Sequence, residues 1–547
     1  MRSVPDIAVR QISKILTSLR MQKKEAALAS VFSATMNAEN VSLQARSGGY
    51  GLEVQDGGTF TGNNITIDKT GSDAEGFNAA INVVGLLNPD LINSVYLTDS
   101  NITVTGENAT GIVTKRQATL ADIKLANTRI NATDGTAVNM LTGTDMHIDA
   151  DNSVLSGSTL LKTGYSATEG ATAGSVVLNG SNHSLFIGDV DIDRSQTQDS
   201  QINLSGSSAW TGALSGLNTL TLNDNSQWNI TGDSSVDTLN ASNSTLNFTH
   251  DGDGFSTLTV NGNYSGDNST LVMHAALGDD HSASDKLHIL GDSSGSTDVV
   301  VNNAGGSGAQ TIQGLNIIQV DGANNGEFRQ KGRIVAGAYD YNLVKGADQH
   351  GWYLVSDKNS SDPDPVVTPG EGEGGQIVEP PVDQHKMIVR PEAASYSANL
   401  AAANTLFTTS MDDRSAETFY TDANGRQQST RLWLRNSAGH SRVKDSSGQL
   451  KSDTNRYAIQ LGGDVASGTL TGSDSLRLGS MAGYGNAQSK SRSAVSGYQS
   501  RGQVNGYSLG VYARLNANVN LWGGVAQQLG NHSYSDTSAV AGVKVSF

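Results

Sequence analysis

One segment of the sequence has the composition of a catalytic serine loop. It is Gly291-Asp-Ser-Ser-Gly295, and a serine held in such a turn can serve as the nucleophile of a hydrolase. That chemistry also needs a histidine and an aspartate within reach of the serine, and no such arrangement is recognisable in the sequence. We therefore favour a Gly/Ser turn, and we predict no catalytic residues and a protein that is not an enzyme.

Alternating acidic residues are a second candidate for chemistry. Asp189, Asp191 and Asp193 are spaced to project from one side of a strand, where their carboxylates could hold a cation such as Ca²⁺. A solvated outer strand face explains the same spacing and is the favoured interpretation. The ten histidines show no metal-ligand spacing, and no phosphate-binding glycine loop occurs. We predict no metal and no cofactor.

Composition narrows the class of protein. The 547 residues carry a net charge of −17, so the chain repels phosphate backbones and nucleic acid is excluded as a partner. With 62 glycines, 8 prolines and 16% charged residues, the chain differs from disordered proteins and fits short strands joined by tight turns. The absence of cysteine fits export through an oxidising compartment, although a low cysteine content in general explains it equally well.

Short alternating strands recur from about Val41 to Thr249. Trp210, Trp228 and Leu246 lie 18 residues apart, each after a turn rich in Ser and Asn. A period near 20 with short strands indicates a solenoid whose rungs bury their apolar faces against each other. We predict a right-handed parallel β-helix in which the two tryptophans form a core ladder; exposed stacking residues are the alternative.

A linker divides the chain. Residues 360–381 contain five of the eight prolines and a cluster of acidic residues, which is typical of an extended, solvated segment. The predicted domains are an N-terminal region with a degenerate or absent signal at 1–40, a β-helix at 41–257, its cap or junction at 258–357, the linker at 358–385 and a barrel region at 386–547. A truncated start is expected because the apolar run at 26–32 is short and interrupted by Ser30.

The region after the linker combines one helix with longer strands. Pro391 occupies the position of an N1 proline, and Tyr396, Leu400, Ala403 and Phe407 recur at helical steps. About six alternating strands follow, near 431–442, 456–465, 476–484, 506–515, 519–529 and 539–547. Their length favours an outer-membrane β-barrel over a soluble sandwich. The predicted fold class is all-β, with a β-helix and an antiparallel barrel preceded by one α-helix.

Several motifs, in order, resemble pertactin-like, adhesin-type autotransporters of Gram-negative bacteria. The junction motif includes Asp279, Asp280, Asp321, Gly322, Tyr339, Tyr341 and Trp352. In that family the junction ends the β-helix and assists its folding, in the manner of an autochaperone. The resemblance further implies that Tyr396, Leu400 and Phe407 belong to a helix inside the barrel lumen, and that Phe547 is the terminal signal for the barrel-assembly machinery.

The strand number departs from the family pattern. Family barrels have twelve strands, and the segment that resembles the fourth runs directly into one that resembles the eleventh, around Leu515 to Val519. This suggests an internal deletion. Six strands leave little interior room, because barrel width grows with strand number, so a helix is not expected to fit inside.

Three functions follow as hypotheses. The first is an outer-membrane autotransporter whose passenger, at the cell surface or secreted, acts in adhesion to host or neighbouring cells or in self-association, with the barrel anchoring and exporting it. The second is a decayed remnant without secretion. The third is a passenger hydrolase, for which no nucleophile–base pair is recognisable.

Overall fold

A computed structural model describes most of the chain in two compact units, residues 1–337 with 341–385 and residues 338–340 with 386–547. The described residues are 26–46, 49–71, 78–85, 87, 91–115, 120–140, 145–164, 174–250, 252, 254–357, 387–408, 418–469, 471, 474–516, 519–530 and 535–545, with the backbone of 10–13. Each unit is described by itself. None of the described helices has the length and hydropathy needed to span a membrane.

The first unit consists of strands throughout its described residues. Its first half contains β1 Arg10–Ser13, β2 Ala26–Val31, β3 Thr35–Arg46, β4 Tyr50–Gln55, β5 Thr59–Thr70, β6 Asn78–Val84, β7 Asn93–Thr98, β8 Asn101–Thr105, β9 Ala109–Lys115, β10 Leu120–Ala126, β11 Arg129–Met140, β12 Asp145–Asp151, β13 Val154–Thr163, β14 Gly174–Ser181, β15 Leu185–Asp191 and β16 Thr197–Leu204. Its second half contains β17 Ala209–Thr211, β18 Leu214–Ser215, β19 Leu217–Leu222, β20 Gln227–Ile230, β21 Ser234–Ser242, β22 Thr245–Phe248, β23 Thr257–Val260, β24 Tyr264–Ala275, β25 Lys286–Ile289, β26 Ser293–Asn303, β27 Leu315–Val320, β28 Glu327–Gln330, β29 Ile334–Ala336, β30 Tyr339–Lys345 and β31 Gly351–Val355.

These strands stack in parallel and form a three-sided β-helix. The first sheet runs through β7, β10, β12, β14, β16 and β19, and the second through β8, β17, β20, β22 and the first halves of β11, β13 and β15. The third runs through β4, β6, β9 and the second half of β11. The predicted parallel β-helix is thus confirmed.

Ladders of apolar side chains fill the interior, because every second residue of a strand points inward. Each ladder takes one residue per rung. In the first sheet it is Phe60, Val95, Ile123, Ile148, Leu178, Ile202, Leu220, Leu239 and Tyr264, and in the second it includes Phe186, Trp210, Trp228, Leu246 and Leu271. Trp210 and Trp228 are buried and stack with ring centroids 4.9 Å apart. The predicted core ladder is confirmed.

A column of left-handed residues forms the corner between the first and second sheets. Asn127, Asn152 and Asn243 have φ values of 51°, 45° and 45°, a conformation that asparagine tolerates better than most residues. The Nδ2 atom of Asn152 donates to Oδ1 of Asn127 at 3.2 Å, one rung away. The next residue in each rung is a buried Ser or Thr, and Ser153 Oγ accepts from the backbone N of Thr128 at 3.0 Å. This corner fixes the register between rungs.

The parallel stacking ends in an antiparallel cap. β27 pairs in parallel with β25 on one side and antiparallel with β31 on the other, and β31 pairs antiparallel with β30. The last rung is thereby covered, as a solenoid end requires. The start of the β-helix differs from the predicted boundary at 41, because β2 already pairs with β4 and β3 with β5. Residues 26–40 therefore belong to the β-helix, while the predicted linker lies outside the described residues.

The second unit combines one helix with an antiparallel sheet. It contains α1 Pro391–Thr405, a hairpin of β32 Thr418–Thr421 and β33 Gln427–Thr430, and a sheet of β34 Trp433–Lys444, β35 Leu450–Gly468, β36 Ser475–Ser493, β37 Gln499–Asn516, β38 Val519–Gly530 and β39 Ser535–Val545. The six predicted strands and the N1 proline of the helix are confirmed. β35 to β37 extend several residues beyond their predicted bounds.

Candidate functional site

A single carboxylate organises the junction at the end of the β-helix. The side chain of Asp280 accepts hydrogen bonds from the backbone N atoms of Ile312, Gln313 and Gly314, at 3.0, 2.9 and 2.8 Å. These amides begin the approach to β27, so Asp280 positions the chain that enters the cap. The neighbouring Asp279 is exposed and accepts only locally, from the N of His281 at 3.0 Å.

The second acidic position of the junction motif joins two rungs. Asp321 Oδ2 lies 2.9 Å from His288 Nε2, and this pair links the residue after β27 to β25. At Gly322 a Cβ atom would lie 2.5 Å from Oδ1 of Asp292 and 2.5 Å from the carbonyl oxygen of Gly291. The close approach of two chain segments therefore requires glycine at this position.

Aromatic rings connect the last rung to the cap. The ring of Phe328 stacks on Tyr264 at a centroid distance of 5.9 Å and meets Trp352 edge-on at 5.6 Å. Burial raises the pKa of the Tyr264 hydroxyl. Tyr341 is also buried, and its hydroxyl oxygen accepts from the N of Ala309 at 3.0 Å. Tyr339 is half-buried; it begins β30 but belongs with residues 338–340 to the second unit, where it pairs with Val389.

The six-stranded sheet has two chemically opposite faces. Its outer face carries large exposed apolar side chains, which lie on adjacent strands and form a continuous band. They are Leu434, Tyr457, Leu461, Val465, Leu478, Tyr484, Tyr507, Leu509, Val511, Leu521, Val525, Leu529, Val543 and Val545. Exposed apolar and buried polar faces invert the order of a soluble sheet and are expected for a barrel wall in lipid.

The inner face is polar and holds α1. Ser395 of the helix lies 2.9 Å from Ser491 and 2.6 Å from Ser500, between hydroxyl oxygens, and Ser489 donates to Asn399 at 3.2 Å. Further along this face Asp464 accepts from Arg477 at 3.2 Å. These hydrogen bonds attach the helix to the inner face and pair the charged residues that lie further along it.

Glycines of the inner face form a groove for the helix. At Gly485 a Cβ atom would lie 2.6 Å from the Leu406 side chain, and at Gly502 one would lie 2.4 Å from Asn399. Leu406 and Phe407 are buried against this groove. The predicted helix therefore contacts the polar face of the sheet, although six strands were expected to leave it no room inside a closed barrel.

The predicted helix residues divide between two sides. Phe407 is buried, whereas Tyr396 and Leu400 are 66% and 59% exposed and lie on the side of α1 away from the sheet. The contact with the sheet is made instead by small residues such as Ser395 and Ala402, which the helical spacing did not single out. Their assignment to a barrel lumen stays a prediction. The predicted terminal signal, Phe547, lies outside the described residues.

The two sequence candidates for chemistry take part in structural contacts. Ser293 is buried, and its Oγ donates to Asn324 Oδ1 at 2.9 Å and accepts from the N of Gly326 at 3.1 Å. Asp189, Asp191 and Asp193 have separate partners, namely the N of Ala213, Lys162 and Ser195. Among the described residues no group of three metal-ligating side chains converges.

A polar face on the first sheet was not singled out from the sequence. We define this polar face by Tyr96, Asp122, Lys124, His147, Asp149, Asn179 and Asn203, which lie outward on five successive strands. Asn203 donates to Asn179 at 2.9 Å, and Asn179 donates to Asp149 at 2.8 Å. Tyr96 Oη donates to Asp122 at 2.8 Å. The alternation of polar and apolar residues in each strand was visible in the sequence, but the alignment of distant strands was not.

Comparison with known families identifies two of these regions. Residues 234–343 match the family model of the Autochaperone Domain Type 1, and residues 432–546 match that of the Autotransporter beta-domain. The first match covers the end of the β-helix with most of the junction, starting upstream of the predicted boundary at 258. The second covers the six-stranded sheet.

The chain is also similar to individual known proteins. The chain is 46% identical over 289 residues to the uncharacterized protein YuaQ of Escherichia coli K12, covering 52% of this chain and 20% of that protein. It is 38% identical over 261 residues to the autotransporter adhesin AIDA-I of Escherichia coli, covering 47% of this chain and 18% of the adhesin. The crystal structure of the AIDA-I transport unit matches with 28% identity and a TM-score of 0.21, covering 28% of this chain and 50% of that one.

The chain thus spans about a fifth of the length of these two relatives. The two family matches, together with the β-helix and the inverted faces of the sheet, indicate an outer-membrane location with the β-helix as a surface-exposed passenger. The relatives with descriptive names include adhesins. The chain thus combines a parallel β-helix with one region that matches the autochaperone domain and a C-terminal region that matches the autotransporter β-domain, and about half of it is similar to an autotransporter adhesin.

Proposed function

We propose that the passenger mediates adhesion or self-association at the cell surface through its polar face, while the six-stranded sheet anchors it in the outer membrane. The observation that carries the proposal is the ladder of Asp149, Asn179 and Asn203, whose side chains are connected by hydrogen bonds across successive rungs. Many weak hydrogen bonds presented by a rigid array can sum to firm attachment between two surfaces. Adhesion is also what the name of AIDA-I describes for that relative.

Hydrogen bonds and close polar contacts within the polar face hold its side chains in place before any partner binds. His147 Nε2 lies 3.2 Å from Asp149, and Lys124 Nζ lies 3.6 Å from Asp122. Side chains that are already held in place lose less conformational freedom when a partner binds. The charged residues on this face have both signs, so a copy of the same face or another mixed polar surface would be complementary to it.

The test is a surface-display assay with two matched triple variants. Asp149→Ala/Asn179→Ala/Asn203→Ala removes the ladder on the first sheet. Thr211→Ala/Asn229→Ala/Asn247→Ala removes a comparable ladder on the second sheet, where Asn247 donates to Asn229 and Asn229 to Thr211. We expect the first variant to abolish sedimentation of cell aggregates and attachment to host cells, and the second to leave both unchanged.

External protease and an activity probe address the other hypotheses. Cleavage of the passenger on intact cells is expected for the proposed function, while protection of the passenger in every fraction would support a remnant without secretion. Labelling by a fluorophosphonate probe would support a hydrolase. Equal behaviour of the two triple variants would reject the polar face as the binding surface.

A further inference from the structure

The six-stranded sheet ends in two edges that lack a second strand partner among the described strands. β34 pairs only with β35, and β39 pairs only with β38. Edge strands expose a row of backbone N–H and C=O groups, and lipid offers these groups no hydrogen bonds. A wall with an apolar outer face therefore requires partners for both edges before it is stable in a membrane.

Closure of the sheet on itself conflicts with the contents of its inner face. Strands about 4.8 Å apart and tilted by about 40° give a six-stranded cylinder with a backbone diameter of about 12 Å. α1 alone requires about 10–12 Å. Trp433, Met481 and Tyr512 also occupy the inner face, where they are buried. A closed monomer would have to expel the helix from its glycine groove.

We propose that a second copy of this chain completes the barrel, with β39 of each copy pairing antiparallel with β34 of the other. This inference rests on the proposed anchoring of the sheet in the outer membrane. The sheet is an antiparallel meander of six strands, so its first and last strands run in opposite directions. Two copies related by a two-fold axis along the barrel therefore form two identical antiparallel seams. The seam strands match in length, with 12 residues in β34 and 11 in β39.

The stagger of the strands also fits this closure. β34 pairs with Lys451–Gly462 of β35, whereas the registers through β36, β37 and β38 bring β39 level with Ile459–Gly468. The two edges are thus displaced by roughly seven residues, and two copies give roughly fourteen, which tilts twelve strands by about 40°. That tilt lies within the range of membrane barrels. Pairing of the two seam strands over their full length places Ala438 of one copy opposite residues 539–541 of the other.

The exposed side of α1 gains a partner in this assembly. A twelve-stranded barrel has a backbone diameter of about 24 Å, so it encloses about four times the cross-section of a six-stranded cylinder and gives each of two helices about twice the cross-section of a closed monomer. Each helix would lie in the groove of its own half. Tyr396 and Leu400, which face away from their own sheet, would then face the helix of the other copy across the two-fold axis.

The test uses single cysteines, because the chain contains none of its own. Ala438→Cys on β34 and Ala541→Cys on β39 both lie on the outer face, and each can be produced in full-length chains with different tags. The two variants are expressed in the same cells and treated with a short bis-maleimide. We expect a covalent heterodimer of about twice 57.0 kDa. Each variant expressed alone should remain monomeric on a denaturing gel.

Controls separate the possible outcomes. Pairing Ala438→Cys with Ala482→Cys, on the central strand β36, should give no cross-link, and Ala438→Cys with Ala539→Cys serves as a second seam pair. A doubly substituted chain that cross-links only within itself would overturn the proposal in favour of a closed monomer. Cross-linking to a protein of another mass, or no cross-link in either seam pair, would overturn it as well.

The same samples show whether the six-stranded sheet is anchored in the outer membrane at all. Outer-membrane fractions are tested for heat-modifiable migration of the chain before cross-linking. A chain that is absent from these fractions overturns both the anchoring and the dimer. A chain that is present as a monomer overturns only the dimer, and the proposed role of the passenger is then unaffected.

Discussion

At the scale of single residues, the carboxylate of Asp280 is the clearest structural determinant in the autochaperone domain. Its two oxygens accept hydrogen bonds from three consecutive backbone amides, whereas an asparagine side chain has a single acceptor oxygen. We expect Asp280→Asn to lower the free energy of unfolding by about 1.5–3 kcal/mol, the range for hydrogen bonds to a charged group. Urea unfolding of the full chain and hydrogen exchange at residues 312–314 measure this change.

The matched control is the adjacent carboxylate. Asp279→Asn removes the same charge from an exposed side chain with one local hydrogen bond, so a change within about 0.5 kcal/mol is expected. If both variants destabilise the chain equally, net charge rather than the bond geometry of Asp280 is responsible. Exchange that stays slow at residues 312–314 in Asp280→Asn would also contradict this role.

Asp193 gives the passenger one acid-sensitive turn. Hydrogen bonds from the Ser195 hydroxyl and the Ser195 backbone N hold the pKa of Asp193 below its ordinary value. A depressed folded pKa contributes stability above the unfolded pKa and loses it as pH falls through the folded pKa. We expect Ser195→Ala to raise the pKa of Asp193, as followed by NMR titration, whereas Ser205→Ala should leave it unchanged. An unchanged titration in Ser195→Ala would contradict this account.

At the scale of elements, the asparagine corner sets the register of the β-helix. Asn152 combines a φ of 45° with a side-chain hydrogen bond to the preceding rung. Asn152→Gly keeps the backbone conformation, while Asn152→Ala adds a strain of about 1–2 kcal/mol. We therefore expect the alanine variant to be the less stable of the two by urea unfolding.

The order of stability of the glycine and alanine variants should reverse at a position within a neighbouring strand. Asn131 lies within β11, in extended backbone, where glycine is less favourable than alanine by about 0.5–1 kcal/mol. Asn131→Gly should thus be less stable than Asn131→Ala. The same order at both positions would mean that the left-handed conformation does not determine the choice of asparagine at the corner.

The glycine groove determines where α1 docks. Gly485→Val places new atoms where the Leu406 side chain lies, so we expect the helix to leave the sheet. The accessibility of a cysteine at position 402 reports whether the helix is docked, because Ala402 is buried and Ala402→Cys introduces the only thiol in the chain. Maleimide labelling should be slow in Ala402→Cys alone and fast when Gly485→Val is added.

Gly523→Val is the matched control for the groove. A Cβ atom at Gly523 would approach no other atom closer than 3.5 Å, so this valine is accommodated on the same sheet. Labelling of Ala402→Cys should then stay slow. Fast labelling with Gly523→Val would indicate general loosening of the sheet instead of a specific displacement of the helix.

Sequence periodicity revealed the elements but not every contact between them. The spacing of Trp210 and Trp228 predicted stacked rungs, because parallel pairing aligns residues one repeat apart. Between Ile148 and Leu178 a rung takes 30 residues instead of 18, and no fixed period can show that alignment. The side of α1 that contacts the sheet could not be predicted for a related reason. The groove is formed by residues about 80–100 positions away, such as Gly485, so helical spacing alone could not select Ser395 and Ala402 over Tyr396.

At the scale of the whole molecule, the inverted faces of the sheet determine where the chain resides. Leu509 lies on the apolar outer face of β37. Arginine on the lipid-facing side of a barrel costs about 2–4 kcal/mol near the bilayer midplane and little near the interface. We expect Leu509→Arg to reduce the amount of folded chain in the outer membrane, measured by fractionation and heat-modifiable migration.

The control lies on the same strand and the same face. Gln503 lies two outward-facing positions before Tyr507 on β37, past the end of the apolar band. We therefore expect Gln503→Arg to insert normally. If both arginines are tolerated equally, the apolar face does not contact lipid. If both prevent insertion, the band extends further along β37 than the exposed apolar residues indicate.

The unequal corners of the β-helix determine where new sequence can be added. At the asparagine corner two residues connect β10 to β11 and β12 to β13, and their left-handed backbone fixes the turn. At the corner from the third sheet to the first, four residues separate β11 from β12 and ten separate β13 from β14. Connections of such different length join the same ladders, so we expect peptides inserted between β13 and β14 to leave the register of the ladders unchanged.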